Sequence, residues 1–189
     1  RLKQITDMNA MATTYEHDAR GLTEKVTFPD NTTQHFSYDA IGQLNYQVNN
    51  SGDSILYEYD DFNRLSKAIF PDGSENIYSY DKNGNLLTAV NDNATLSFNY
   101  DKAGRCTTET VSMLGYSTKI ISYSYDPANK TLSISYPFGG TVIDLVLDSR
   151  GRPDLIKSGG HNLADYDYLD NNFISKRTYL NGSSSSYSY

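Results

Sequence analysis

Three histidines, one cysteine and two Asp-rich segments are the residues of this 189-residue chain from which catalysis or metal binding would have to be built. His17, His35 and His161 lie far apart in sequence, and the chain contains neither His-Glu-x-x-His nor Gly-x-Ser-x-Gly. Spacing therefore assembles no zinc-hydrolase or serine-hydrolase constellation. Cys106 stands alone, which excludes an intrachain disulfide and leaves it unable to form a protein metal site by itself. Asp81-Lys82-Asn83-Gly84-Asn85 and the stretch from Asp165 to Asp170 superficially resemble oxygen-rich calcium loops. An EF-hand loop needs Gly at its sixth position and an acid at its twelfth, whereas Gly84 is fourth and serves a turn. Asn31-Thr32-Thr33, Asn93-Ala94-Thr95, Asn129-Lys130-Thr131 and Asn181-Gly182-Ser183 are formal glycosylation sequons, of consequence only in a eukaryotic secretory setting. The residues assign no catalytic, cofactor-binding or metal-ligating role, and the chain is expected not to be an enzyme.

The elements that carry these residues come from one sentence, repeated. Phe36 to Leu44, FSYDAIGQL, recurs as Tyr57 to Leu65, Tyr78 to Leu86 and Phe98 to Cys106, and in more divergent form as Tyr15 to Thr23, Tyr123 to Thr131, Leu145 to Pro153 and Tyr166 to Ile174. The turn-opening position falls at Asp18, Asp39, Asp60, Asp81, Asp101, Asp126, Asp148 and Leu169, at intervals of 21, 21, 21, 20, 25, 22 and 21 residues. A fixed period of that length signals a repeat architecture.

Within each copy, two large apolar or aromatic positions flank a polar one, as in Tyr57-Glu58-Tyr59, and this alternation holds register along the chain. Period-two alternation specifies β-strands with one aromatic face. The opener begins a type I turn whose fourth position is Gly21, Gly42, Asn63, Gly84, Gly104, Asn129, Gly151 or Asn172, residues that tolerate a left-handed conformation. A second turn lies about 13 residues after each opener, at Phe28-Pro29-Asp30-Asn31, Phe70-Pro71-Asp72-Gly73 and Tyr136-Pro137-Phe138-Gly139, with looser versions at Asn50 to Gly52, Asn91 to Asn93, Ser158 to Gly160 and Asn181-Gly182. Each repeat is thus two strands and two turns. The 25-residue interval after Asp101 predicts a longer hairpin around Ser112 to Tyr116. The fold class expected is all-β: consecutive hairpins in one continuous antiparallel sheet of some 18 strands, ~85 Å wide if unrolled and therefore curved. One repeat array spans residues 1–189, about nine units, and both termini fall inside a unit, so the natural polypeptide is expected to continue in both directions.

Seventeen Tyr, seven Phe and no Trp, with many Ser, Asn and Asp, suit half-exposed strands and tight turns rather than helices. The formal charge of −7 and the lack of a basic run argue against nucleic acid as a partner. No apolar run approaches the ~18 residues of a membrane span. Cys106 occupies a position held elsewhere by Leu44, Leu65, Leu86 and Ile174, and reads as a small buried apolar residue. The aromatic series has two readings: cross-strand ring packing that stabilises the sheet, at ~0.2–1 kcal/mol per pair, or a surface for sugars or proteins. Its uniformity favours the first.

The pattern Tyr-x-Tyr-Asp-x-x-Gly-Arg-Leu at a period of about 21, with Pro-Asp-Gly turns between, resembles the YD repeat of Rhs-type proteins. The likeness covers essentially the whole chain. Its departures are Leu169 for Asp, Leu145 and Leu147 for Tyr, Pro153 for Leu, and Asn63, Asn129 and Asn172 for Gly. The resemblance implies a sheet that spirals into a hollow shell, a non-enzymatic structural role in enclosing or presenting a C-terminal toxin or other domain of the same polypeptide, and a secreted or cell-surface bacterial parent. The family's self-cleaving aspartate-protease segment is not among these residues, since Asp126-Pro127-Ala128-Asn129 is a repeat turn. The alternative is an extracellular carbohydrate- or protein-binding adhesion module using the aromatic face.

Overall fold

A computed structural model describes residues 1–137 and 139–189. The described residues form eighteen β-strands and no helix. They divide into two compact units, Arg1–Ala94 and Thr95–Tyr189.

The first unit holds β1 (Gln4–Thr6), β2 (Ala12–His17), β3 (Thr23–Thr27), β4 (Thr33–Tyr38), β5 (Leu44–Val48), β6 (Ser54–Tyr59), β7 (Leu65–Ile69), β8 (Glu75–Tyr80) and β9 (Leu86–Val90). Each pairs antiparallel with the next. After β10 (Ala94–Tyr100), the second unit continues with β11 (Cys106–Met113), β12 (Lys119–Asp126), β13 (Thr131–Ser135), β14 (Val142–Leu147), β15 (Pro153–Ser158), β16 (His161–Tyr168), β17 (Ile174–Tyr179) and β18 (Ser184–Ser186). From β11 onward the same neighbour-to-neighbour antiparallel pairing holds.

The opener turns have the geometry the sequence predicts. At Asp39, the Gly42 N–H donates to the Asp39 carbonyl (3.2 Å), the Asp39 N–H donates to the Gln43 carbonyl (2.9 Å), and Gly42 sits at φ 92°. The carboxylate closes the loop from the side: Asp39 Oδ1 accepts from the N–H groups of Ile41 (3.0 Å) and Gln43 (2.8 Å). A type I turn followed by a left-handed residue adds one residue to the return strand. The register accordingly shifts just before the opener, between Glu16 and His17, Ser37 and Tyr38, Glu58 and Tyr59, Ser79 and Tyr80, Val146 and Leu147, and Asp167 and Tyr168.

The second turns repeat the same backbone. Phe70 N–H donates to the Ser74 carbonyl, Gly73 N–H donates to the Phe70 carbonyl, and Gly73 has φ 82°. Because the opener is aromatic, the cap moves two residues on: Asp72 Oδ1 accepts from the Ser74 N–H and hydroxyl. Asn49 to Gly52 has the same backbone bonds but is capped by its opener, since Asn49 Oδ1 accepts from the N–H groups of Ser51 and Asp53, whereas Gly159-Gly160 is a two-residue turn with both φ angles positive. The expected turn Tyr136 to Gly139 includes Phe138, which lies outside the described residues.

Two turn expectations are modified. At Asp126 the left-handed residue is Lys130 (φ 49°), not Asn129, because Asp126 pairs with Thr131 without a register shift and the loop is the four residues 127–130. At Leu169 the backbone turn persists without the carboxylate: Asn172 N–H donates to the Leu169 carbonyl (3.0 Å) and Asn172 is left-handed at φ 69°. The longer hairpin after Asp101 is present as two eight-residue strands, β11 and β12.

The strands bury little. Val26 (8%), Ala68 (4%) and Ala164 (8%) are the buried hydrophobics among the described residues. All three are small and lie on the ring-bearing face: Val26 pairs with Tyr15, Ala68 with Tyr57, and Ala164 is two residues before Tyr166. A single layer can exclude water only between neighbouring large side chains, so the small positions are the deepest.

Candidate functional site

The recurrent chemistry of the chain is at the repeat junction, where in five copies the residue before the opener reaches back fifteen positions. Tyr38, Tyr59, Tyr80 and Tyr168 donate their hydroxyls to the carbonyls of Thr23 (2.9 Å), Leu44 (2.7 Å), Leu65 (2.8 Å) and Pro153 (2.7 Å). Each acceptor opens the return strand of the preceding repeat, five residues after its opener. The bond therefore ties one hairpin to the last. His17, in the Tyr position, makes the same link: its Nε2 lies 2.7 Å from the Leu2 carbonyl, again fifteen residues back, with Nδ1 3.2 Å from Thr23 Oγ1. A proton on Nε2 supplies the donor that a phenol supplies elsewhere. His17 is a structural substitute for tyrosine.

In three copies an arginine four residues after the opener adds to the junction. Arg64 Nε donates to Asp60 Oδ2 (2.8 Å), Nη1 donates to the carbonyl of the next opener, Asp81 (2.8 Å), and the guanidinium lies 4.6 Å from the centroid of the Tyr80 ring. Arg152 likewise holds Asp148, lies 4.1 Å from the Tyr168 ring centroid, and donates to Asn172 Oδ1 (2.9 Å). Arg105 holds Asp101 and covers Tyr125 at 4.4 Å. Asp, Arg and Tyr of the motif are thus one unit spread over two repeats.

The electrostatics follow from this arrangement. The Arg64 side-chain and backbone hydrogen bonds hold the Asp60 carboxyl below its ordinary range. The Asn85 side chain does the same for Asp81, and the Arg152 backbone N–H leads for Asp148, aided by its guanidinium. Burial pushes the phenols of Tyr38, Tyr59, Tyr80 and Tyr168 upward. Tyr123 is pushed up to about 12 by burial and then by its hydrogen bond to Glu109 Oε2 (3.1 Å).

The rings do not pack as direct cross-strand partners. Tyr15 pairs with Val26, Phe36 with Gln47, Tyr57 with Ala68, Tyr78 with Ala89 and Tyr123 with Ile134. Corresponding rings of successive repeats are two strand spacings apart, ~10 Å, beyond the ~4.5–7 Å of ring contact. Among the described residues one stacked ring pair occurs, Phe173 with Tyr189 at 4.7 Å between centroids; in the regular copies ring-to-guanidinium and phenol-to-carbonyl contacts take the place of the neighbouring aromatic pairs expected from the sequence. The opposite face of the first unit carries Glu16, Lys25, Ser37, Glu58 and Lys67 with the exposed Leu56 (44%) and Ile77 (43%).

The other singled-out residues are not brought together. His35, an exposed position of β4, has Nε2 3.2 Å from Thr33 Oγ1 of the same strand, and His161 opens β16 and is also exposed. Cys106 is half-buried, with Sγ 3.4 Å from the Thr108 carbonyl, and burial, then the Glu109 charge, raises its thiol. Asp165 and Asp167 lie on the exposed face of β16, while Asp170 is in the following turn. Asn31, Asn93, Asn129 and Asn181 are exposed. Among the described residues no group of three or more His, Cys, Asp or Glu gathers at metal-binding distance.

The sequence matches the family described as Teneurin YD-shell over residues 30–188. No curated protein matches. Among solved structures, the chain is similar to the Photorhabdus luminescens Tc holotoxin pore, at TM-score 0.66 and 16% identity over 95% of this chain. It is also similar to TcdB2-TccC3-TEV, at TM-score 0.65 and 16% identity over 95%, and to TcdB2-TccC3, at TM-score 0.51 and 12% identity over 89%. The likeness covers 11%, 12% and 12% of those chains respectively. At such identities these structures show the fold, and the family match rests on the repeat itself: the chain belongs to the teneurin YD-shell family.

Proposed function

We propose that this chain is a non-enzymatic segment of shell wall, one repeat array over residues 1–189, in a secreted or cell-surface polypeptide that encloses or presents another of its own domains, a toxin among the candidates. One observation carries the reading: the bond from Tyr to the preceding repeat's carbonyl recurs at Tyr38, Tyr59, Tyr80 and Tyr168, with an Arg–Asp pair over the ring at the last two, while few of the described residues are buried. Such a sheet links repeat to repeat laterally and gains little from a core, which is what a thin wall requires. The similarity of its fold to segments of Tc toxin structures supports the same reading.

The adhesion alternative gains nothing from the aromatic face. The hydroxyls of Tyr38, Tyr59, Tyr80 and Tyr168 already bond within the sheet, and Arg64, Arg105 and Arg152 cover rings that a sugar would have to stack on. The test is proteolysis of the natural polypeptide. Its non-repeat domain is expected to resist protease while the wall is intact, and to become cleavable when Tyr59→Ala and Tyr80→Ala are combined. Equal cleavage rates with and without these substitutions, from an already exposed domain, would sink the proposal. A glycan array bound by the parent and lost on Tyr57→Ser and Tyr78→Ser in a folded protein would favour the alternative.

A further inference from the structure

At the opener turns, exposed apolar side chains stand singly beside charge. Ile41 and Phe62 follow the carboxylates of Asp39 and Asp60 by two residues, and the Arg64 guanidinium lies 5.2 Å from the Phe62 ring centroid. The tip of the β11–β12 hairpin is different. Met113, Leu114 and Tyr116 fall within four consecutive residues and are 49%, 79% and 75% exposed, and no charged residue occurs from Thr110 to Thr118. The turn is ordered. Tyr116 N–H donates to the Met113 carbonyl (3.1 Å), Gly115 has the positive φ (80°) that the third residue of a type II turn requires, and Ser112 Oγ lies 3.1 Å from Thr118 Oγ1 across the hairpin. The tip also projects. β13 pairs with β12 from Asp126 only as far as Ser122, so Lys119 to Ile121 run past that neighbour by three residues, about 10 Å, before the tip begins.

We propose that this tip inserts into the headgroup layer of an electrically neutral lipid surface, such as phosphatidylcholine, and so fixes one edge of the sheet to a membrane. Three side chains fall far short of the ~800 Å² per partner that a stable protein interface covers. A lipid surface sets no such minimum, because it takes up apolar side chains without requiring a matching contour. Met113 and Leu114 supply the apolar part, and Tyr116 joins a ring to a hydroxyl, the chemistry suited to the membrane–water boundary. Ser112, Ser117 and Thr118 flank them with hydroxyls for the headgroups. Insertion stops at that depth, since the unpaired backbone groups of a turn have no place in hydrocarbon. The formal charge of −7 selects the lipid class, because an anionic surface would repel the chain. The attachment does not depend on what the wall encloses.

The experiment adds phosphatidylcholine bicelles carrying a nitroxide-labelled lipid to the 189-residue chain, labelled at its leucine and methionine methyls and observed by NMR. The Met113 and Leu114 methyls should broaden, whereas Met8 and Met11, which are equally open to solvent, and Leu132 and Leu145, in strands, should not. Leu114→Ser should weaken the association roughly tenfold. Leu114→Ser with Tyr116→Ser should abolish the broadening and leave the Leu132 and Leu145 shifts in place, since both substituted residues are exposed. Bicelles in which phosphatidylserine replaces part of the phosphatidylcholine should bind more weakly at low salt. No broadening at the tip, equal broadening at Met8 and Met11, undiminished broadening in the folded double variant, or tighter binding to the phosphatidylserine bicelles would each overturn the assignment.

Discussion

Tyr80 offers the sharpest dissection of the junction, because two interactions meet on one ring. Its hydroxyl donates to the Leu65 carbonyl at 2.8 Å, and Arg64 lies 4.6 Å from its ring centroid. Tyr80→Phe removes only the hydrogen bond, for which a net loss of about 0.5–1.5 kcal/mol is expected. In a chain of this size that lowers Tm by roughly 2–4 °C per kcal/mol. Tyr80→Leu also removes the ring from beneath the guanidinium, adding about 0.5–1 kcal/mol. The second increment should vanish when Arg64 is already Ala, whereas the first should remain. Urea denaturation of the parent, Tyr80→Phe, Tyr80→Leu, Arg64→Ala and the two double variants measures both steps. Amide exchange should show the loss concentrated in β7 and β8, since repeats contact chiefly their neighbours. The reasoning is refuted if Tyr80→Phe stays within ~0.3 kcal/mol of the parent, or if Arg64→Ala leaves the Phe-to-Leu increment untouched.

Other consequences follow from the same geometry. Leu169→Asp should raise Tm by a degree or more, roughly 1–3 °C, because a carboxylate there meets the Asn171 N–H and takes over from Asn171 Oδ1 the Phe173 N–H; an unchanged or lower Tm in a scanning calorimeter would contradict the capping role. Asp60, Asp81, Asp101 and Asp148 have carboxyls held below their ordinary value of 3.8, so their contribution is full above that value and is lost as pH falls through the depressed folded values. Tm measured between pH 7 and 2 should be flat near neutrality and fall steeply at the acid end, and a flat profile throughout would be inconsistent with it. Tyr123 has the opposite sign: raised to about 12 from 10.0, it contributes below the unfolded value and the contribution is lost as pH rises toward 12. Ultraviolet titration should find a late-ionising phenol that moves earlier in Glu109→Gln, and no shift in that variant would remove the carboxylate as a cause.

Much of this arrangement is visible in one dimension. The intervals between Asp18, Asp39, Asp60 and Asp81 give the hairpin period, and the Gly or Asn three residues after each opener gives the left-handed site, because a positive φ leaves few residue types to choose from. Leu in place of Asp at 169 did not cost the turn, since the backbone bonds, the left-handed Asn172 and an Asn171 Oδ1 that accepts from the Phe173 N–H hold it. Less legible was the shift of the left-handed residue to Lys130, which depends on the register Asp126 to Thr131, a property of the strand pair rather than of the turn letters. The ring series misled for a similar reason: alternation names the face but not the distance, and an intervening return strand places Ala68 or Val26 where a second ring was expected. The junction itself joins a side chain to a backbone carbonyl fifteen residues earlier, and every residue has a carbonyl, so composition carries no trace of it. One clue was available. His17 is the polar ring that stands in the Tyr series, and a position that accepts Tyr or His selects for a ring with a donor.

Electron cryomicroscopy of the natural polypeptide tests the wall assignment most directly. The expected map places residues 1–189 in a single-layer wall around a lumen that holds density for another domain of the same chain. A map in which both faces of this sheet meet open solvent, with every other domain outside and nothing enclosed or held against it, would contradict the account.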